Sequence, residues 1–147
     1  MSQAGSEVES KPFHLRGNFA PVFEERTEVD LPVTGSIPPE LRGRFFRNGS
    51  NPQTGESPHW FFGNGMVHGV ELGDGRARWY RNRYVRTPLY EKPDEPRFSS
   101  EGLDRTRSLA NTHVISHAGR ILCLEEGSFP FEITKDLETV GAFDYAG

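Results

Sequence analysis

The chain has 147 residues, 34% hydrophobic and 26% charged, with a net charge of -4 and a mean hydropathy of -0.64. An acidic balance without a lysine and arginine block excludes a phosphate-tracking nucleic-acid surface. The single cysteine, Cys123, excludes an internal disulfide, and no apolar run approaches the roughly 20 residues that span a bilayer.

The apolar fraction is low for a chain that buries a complete core of its own. Sixteen glycines and 11 prolines favour short strands joined by turns. Residues 1–10 are polar, carry no apolar signal stretch and read as a frayed tail, so the simplest placement is cytoplasmic. Residues 11–21 are expected to form an extended arm, because Pro12 and Pro21 oppose helix and Phe13 and Phe19 can anchor it. Residues 27–33 alternate polar with apolar, the period of a half-buried strand. Residues 37–43 read as a turn or single helical turn, opened by Pro38 and Pro39 and stopped by Gly43.

Residues 65–72 and 76–85 then read as a hairpin closed by Gly73-Asp74-Gly75, with Met66, His68, Val70 and Leu72 on one face. The arginines gathered between Arg76 and Arg86 are expected to form a solvated or salt-bridged surface. A second hairpin takes residues 112–117, turns at Ala118-Gly119 and returns over 120–126, with Cys123 as a small apolar strand residue. A third begins at Phe131-Glu132-Ile133 and turns through Lys135-Asp136. Successive short hairpins indicate an all-β sandwich, barrel or propeller.

The densest motif is Arg47-Asn48-Gly49-Ser50-Asn51-Pro52 followed by His59-Trp60-Phe61-Phe62-Gly63-Asn64-Gly65-Met66-Val67-His68. Gly63, Asn64 and Gly65 tolerate positive φ, so a left-handed turn over a packed base of Trp60, Phe61 and Phe62 is expected. Gly63 and Gly65 lack the third glycine and the strand–turn–helix context of a nucleotide fingerprint. Among the histidines, His113 and His117 are four apart on a strand and so stand about 13 Å from each other. Metal–imidazole bonds are only about 2 Å long. His59 and His68 flank the glycine turn, but two ligands do not make a metal site. All four are expected to be structural, donating to backbone carbonyls, and no residue is assigned to a metal.

These motifs resemble those of the carotenoid cleavage oxygenases, a family that includes the lignostilbene dioxygenases and the visual-cycle retinoid isomerase. The family pattern is Arg-Asn-Gly-Pro-Asn-Pro, then His-Trp-Phe, any residue, Gly-Asp-Gly-Met. Further blocks follow in family order: Asn18-Phe19-Ala20-Pro21-Val22 and Gly35-Ser36-Ile37-Pro38-Pro39-Glu40-Leu41-Arg42-Gly43 upstream, then Arg81-Asn82-Arg83-Tyr84-Val85-Arg86-Thr87 and Ala110-Asn111-Thr112-His113-Val114. Leu122-Cys123-Leu124-Glu125-Glu126 and Leu137-Glu138-Thr139-Val140-Gly141 complete the series. The resemblance implies that residues 1–17 are tail and arm, and that 18–147 are the first blades of a seven-bladed β-propeller.

It also implies iron(II) held by four histidines, with O2 and an apolar polyene or stilbene-like molecule as partners and carbonyl products from a split double bond. The family's first iron histidine lies in a Thr-Ala-His-Pro-like segment beyond Gly141 that this sequence does not reach. Iron(II) is therefore expected in the complete enzyme and not in this chain alone. Glu126 aligns with the carboxylate that orients that first histidine, fixing its tautomer and raising its basicity. Glu125 stands where the stilbene-cleaving branch carries lysine, which leans the substrate towards a carotenoid or apocarotenoid. Trp60, Phe61 and Phe62 are expected to pack as core beneath the turn, with a polyene-tunnel wall as the alternative. Ser50 for proline is expected to loosen its loop, and Asn64 for aspartate to remove a turn charge. Members with apolar substrates touch membranes peripherally, although no such patch is visible in this sequence. The competing class is a truncated, non-catalytic propeller fragment.

Overall fold

A computed structural model describes residues 11–146 of the chain. The expected polar tail, residues 1–10, lies outside the described residues. Two four-stranded antiparallel sheets make up the body, each the size of a propeller blade. The first joins β1 (Thr27–Leu31), β2 (Gly43–Asn51), β3 (Asn64–Gly73) and β4 (Arg76–Tyr84) in the order β1-β4-β3-β2. After a four-residue helix α1 (Pro88–Glu91) and a small ribbon of β5 (Phe98–Ser99) with β6 (Gly102–Leu103), the second sheet follows. It is a simple meander of β7 (His113–His117), β8 (Arg120–Leu124), β9 (Phe131–Ile133) and β10 (Thr139–Ala142).

The hairpin turns have the chemistry their positions demand. Asp74 and Gly75 both take positive φ between β3 and β4, as do Ala118 and Gly119 between β7 and β8, which matches the strand twist in two-residue hairpins. The arginine-rich strand is salt-bridged as expected, Arg76 to Asp30 at 3.1 Å and Arg81 to Asp136 at 3.2 Å. Cys123 is fully buried, and that burial pushes its thiol up to about 12, a poor nucleophile. It belongs to a core that also holds Val67, Val85, Ala110, Phe131 and Ile133 between the two sheets. At the sheet junction the Asn48 amide donates to the carbonyls of Ala110 (2.7 Å) and His113 (3.1 Å).

Three expectations are corrected. Residues 11–21 are not an extended arm: Phe13–Leu15 and Gly17–Phe19 form 3-10 turns, with Leu15 buried. The Phe13 and Phe19 rings of these turns pack on Trp60 at 5.1 and 4.8 Å. Arg47 to Asn51 lie inside strand β2, paired residue by residue with β3. Gly63, Asn64 and Gly65 do not form a left-handed turn, because none of them has positive φ. Their glycines serve close approach instead. A Cβ at Gly63 would overlap Ser50 Oγ and Pro52, and one at Gly65 would overlap the Ala110 carbonyl oxygen. No helix among the described residues is long and apolar enough to cross a membrane.

Candidate functional site

A cleft of about 780 Å³ opens between the 3-10 turn Trp60–Phe62 and the segments around residues 109–112 and 125–126. One wall is aromatic and unburied: Trp60 is 39% exposed, Phe61 70% and Phe62 60%. The expectation that these rings form core beneath the turn is therefore wrong. Four hydrogen bonds hold the turn with its rings outward. His59 Nδ1 accepts from the Phe61 N–H at 3.3 Å, Ser50 Oγ accepts from the Gly63 N–H at 2.8 Å, and the buried Asn111 amide donates to the carbonyls of Phe61 (2.8 Å) and Gly63 (2.6 Å). Ser50 thus ties its segment down, where looseness was expected. Asn64 is buried and accepts from the Gln53 N–H at 3.3 Å, so it serves the backbone inside and not a surface turn.

The facing wall carries two neighbouring carboxylates with different fates. Glu125 is only 12% exposed and its oxygens are committed: Oε1 accepts from Arg97 at 2.8 Å, and Oε2 from Ser108 Oγ at 3.0 Å and the Leu109 N–H at 2.7 Å. Burial pushes its carboxyl up. The bonds from Arg97, the Leu109 N–H and Ser108, with the Arg97 charge, outweigh burial and hold it below the ordinary glutamate value. Glu126 is exposed, and among the described residues it accepts only from Thr112 Oγ1 at 3.2 Å. Strand alternation would put these two side chains on opposite faces, yet both border the same cleft. The physical reason is that β8 stops at Leu124, so the period of two has lapsed before residue 125.

The histidines are not brought together. His59 caps the 3-10 turn, His68 bonds the Tyr80 hydroxyl at 2.9 Å, and His14 bonds the Ser57 carbonyl at 3.1 Å. His113 and His117 are exposed on β7. Of the four expected to donate to backbone carbonyls, none does so: His59 accepts from an N–H, His68 meets a hydroxyl, and His113 and His117 stand in solvent. Among the described residues no three His, Cys, Asp or Glu side chains sit close enough to hold a metal ion. These residues do not supply a donor set for the iron that the resemblance implies.

Arg97 and Ser108 lie in none of the motifs of the sequence. Asn111 lies in the Ala110-Asn111-Thr112-His113-Val114 block, and a short amide beside a hydroxyl in a segment between strands is a signal for backbone bonding.

The retinal pigment epithelial membrane protein family model matches residues 19–147. The chain is 49% identical over 147 residues to a carotenoid cleavage oxygenase of Mycobacterium tuberculosis, covering 95% of this chain and 29% of that protein. It is 36% identical over 171 residues to carotenoid 9,10(9',10')-cleavage dioxygenase 1 of Arabidopsis thaliana, covering 92% and 32%. In structure it is similar to the lignostilbene dioxygenase of Pseudomonas brassicacearum, with a TM-score of 0.76, 30% identity and coverage of 94% and 33%. The chain spans about a third of the length of these relatives.

Proposed function

The chain belongs to the carotenoid cleavage oxygenase family, and from that membership we propose that residues 18–147 are the N-terminal part of an iron(II)-dependent dioxygenase in a seven-bladed propeller. Its substrate is a carotenoid or apocarotenoid, whose conjugated double bond is split by O2 into two carbonyl products. The observation that carries this reading is the cleft itself, where an exposed aromatic wall faces one committed and one uncommitted carboxylate. An apolar aromatic wall suits a polyene, which has no polar group to satisfy.

Glu126 has oxygen lone pairs to spare, and an imidazole N–H supplied by a metal-ligating histidine outside this chain is the donor it suits. Glu125 has none to spare, so it is the weaker candidate for that role. Because the described residues offer no donor set for iron, catalysis is assigned to the protein that also carries the iron histidines.

A phenolic stilbene is the second reading, and Arg97 is the observation that favours it. Its guanidinium pairs with Glu125 at 2.8 Å, which puts a cationic group beside the position where the stilbene-cleaving branch carries lysine. That charge is shared between Glu125 and Ser128, which leaves the polyene reading first. The two are separated by offering the intact, iron-loaded protein a carotenoid, an apocarotenoid and a hydroxystilbene under 18O2. Labelled carbonyl products from the polyenes support the first reading. Products from the hydroxystilbene alone select the second, and no products from any of them overturn both.

A further inference from the structure

Glu125 is the hub of a continuous set of bonds that ends on the aromatic wall. Arg97, at the start of the ribbon, fixes one carboxylate oxygen, and the other gathers Ser108 Oγ and the Leu109 N–H. Ser108 Oγ in turn accepts from the Ala110 N–H at 3.0 Å, and the Leu109 carbonyl accepts from the Gly65 N–H at 2.8 Å. The next residue but one, Asn111, grips the Phe61 and Gly63 carbonyls, and Thr112 Oγ1 meets Glu126. Residues 108–112 are irregular backbone whose N–H and C=O groups need such partners when buried. Charge-assisted bonds are the stronger kind.

We propose that Glu125 is a positioning residue: anchored by Arg97, it sets the 108–112 segment and, through Asn111 and Gly65, the placement of the aromatic turn opposite Glu126. The proposal rests on the reading of this cleft as the oxygenase's substrate wall. It gives the acidic residue at position 125 a purpose that does not involve touching substrate. A lysine in the same place could not accept from Leu109 and Ser108, so the segment would need another anchor. Glu125 and Arg97 therefore form one unit, and exchanging either alone breaks it. The ionised form carries the bonds, in keeping with its depressed carboxyl. The groups that face the carboxylate are Arg97, Ser108 Oγ and the Leu109 N–H, Arg97 also donates to Ser128, and Glu126 and Arg105 border a cavity that Glu125 also lines.

The test is hydrogen–deuterium exchange on the intact protein, read in peptides that contain Leu109 and, separately, Gly63 and Gly65. Glu125→Gln keeps the shape and should speed exchange at Leu109 by about tenfold, the scale of losing one charge-assisted bond. The deciding observation is at a distance: Gly63 and Gly65 should also exchange faster, by about threefold or more. Ser108→Ala removes one strand of the same unit and should give a weaker version of the pattern. It serves if Glu125→Gln fails to fold. Glu126→Gln should leave both peptides at their original rates. Faster exchange at Leu109 with Gly63 and Gly65 unchanged in both variants would overturn the proposal, since the carboxylate would then be a local staple only. Because nothing here reads turnover, that failure would leave the oxygenase reading untouched.

Discussion

The N–H of Gly65 donates to the carbonyl of Leu109 at 2.8 Å, backbone against backbone, where strand β3 of the first sheet crosses the segment that leads into the second. The approach leaves no room for a side chain, because a Cβ at Gly65 would meet the Ala110 carbonyl and not a flexible group. Gly65→Ala should therefore destabilise the protein by about 1–3 kcal/mol, as over-packing against fixed atoms does. Gly49→Ala is the control, since a Cβ there meets nothing within 4 Å. Melting temperatures of the two variants check the contrast, at roughly 2–4 °C per kcal/mol in a protein of this size or larger. Equal melting temperatures would refute it.

Asn111 ties its segment to the aromatic turn, with one amide nitrogen serving two carbonyls. Asn111→Ala leaves both carbonyls without their donor, at a cost of about 1–3 kcal/mol. Asn111→Asp places an acceptor against two acceptors and should cost more than the alanine. Urea midpoints at constant slope would show the order wild type, alanine, aspartate.

His68 provides a pH signature. Burial, and then the charge of Arg47, lower its pKa below the ordinary 6.5, so the folded state prefers the neutral ring. The sign follows from linkage: the unfolded chain binds the proton more readily, and stability falls as pH drops. The contribution is complete above 6.5 and is lost as pH falls through the depressed folded value. His68→Gln, which can still meet the Tyr80 hydroxyl, should flatten the stability profile between about pH 7 and pH 5. An unchanged slope in that interval would contradict the assignment.

His113 and His117 should be nearly silent. Both are exposed on β7, and surface substitutions away from special features usually stay within about 0.5 kcal/mol. His113→Gln and His117→Gln are expected to melt within about 2 °C of the parent. Iron(II) added to the chain anaerobically should show no stoichiometric site in either variant or in the parent. A site lost with His113 would place the metal in this part of the protein.

Much of the fold is written in local patterns. The three hairpins follow from alternation and from Asp74-Gly75 and Ala118-Gly119, where turn chemistry is decided by two residues. Strand β2 is not legible, because Arg47-Asn48-Gly49-Ser50-Asn51 has no alternation of its own and becomes a strand by pairing with β3. Gly63 and Gly65 show a second kind of ambiguity. A glycine needed for positive φ and a glycine needed for close approach look alike in sequence, and here the second cause operates. The site is the least legible part. Glu126 came from a family motif, whereas Arg97 and Ser108, which hold the neighbouring Glu125, are brought to it from distant positions.

Glu126, and not Glu125, is the carboxylate we propose to support an iron-ligating histidine of the intact protein. The direct measurement is bound iron and polyene cleavage rate in the iron-loaded intact protein carrying Glu126→Gln, which preserves shape and removes charge. Losses of such supporting carboxylates typically cost about 10–100-fold in metal affinity or activity, and a loss in that range with an unchanged melting temperature is expected. Full iron occupancy and full cleavage in Glu126→Gln would rule out that role for Glu126.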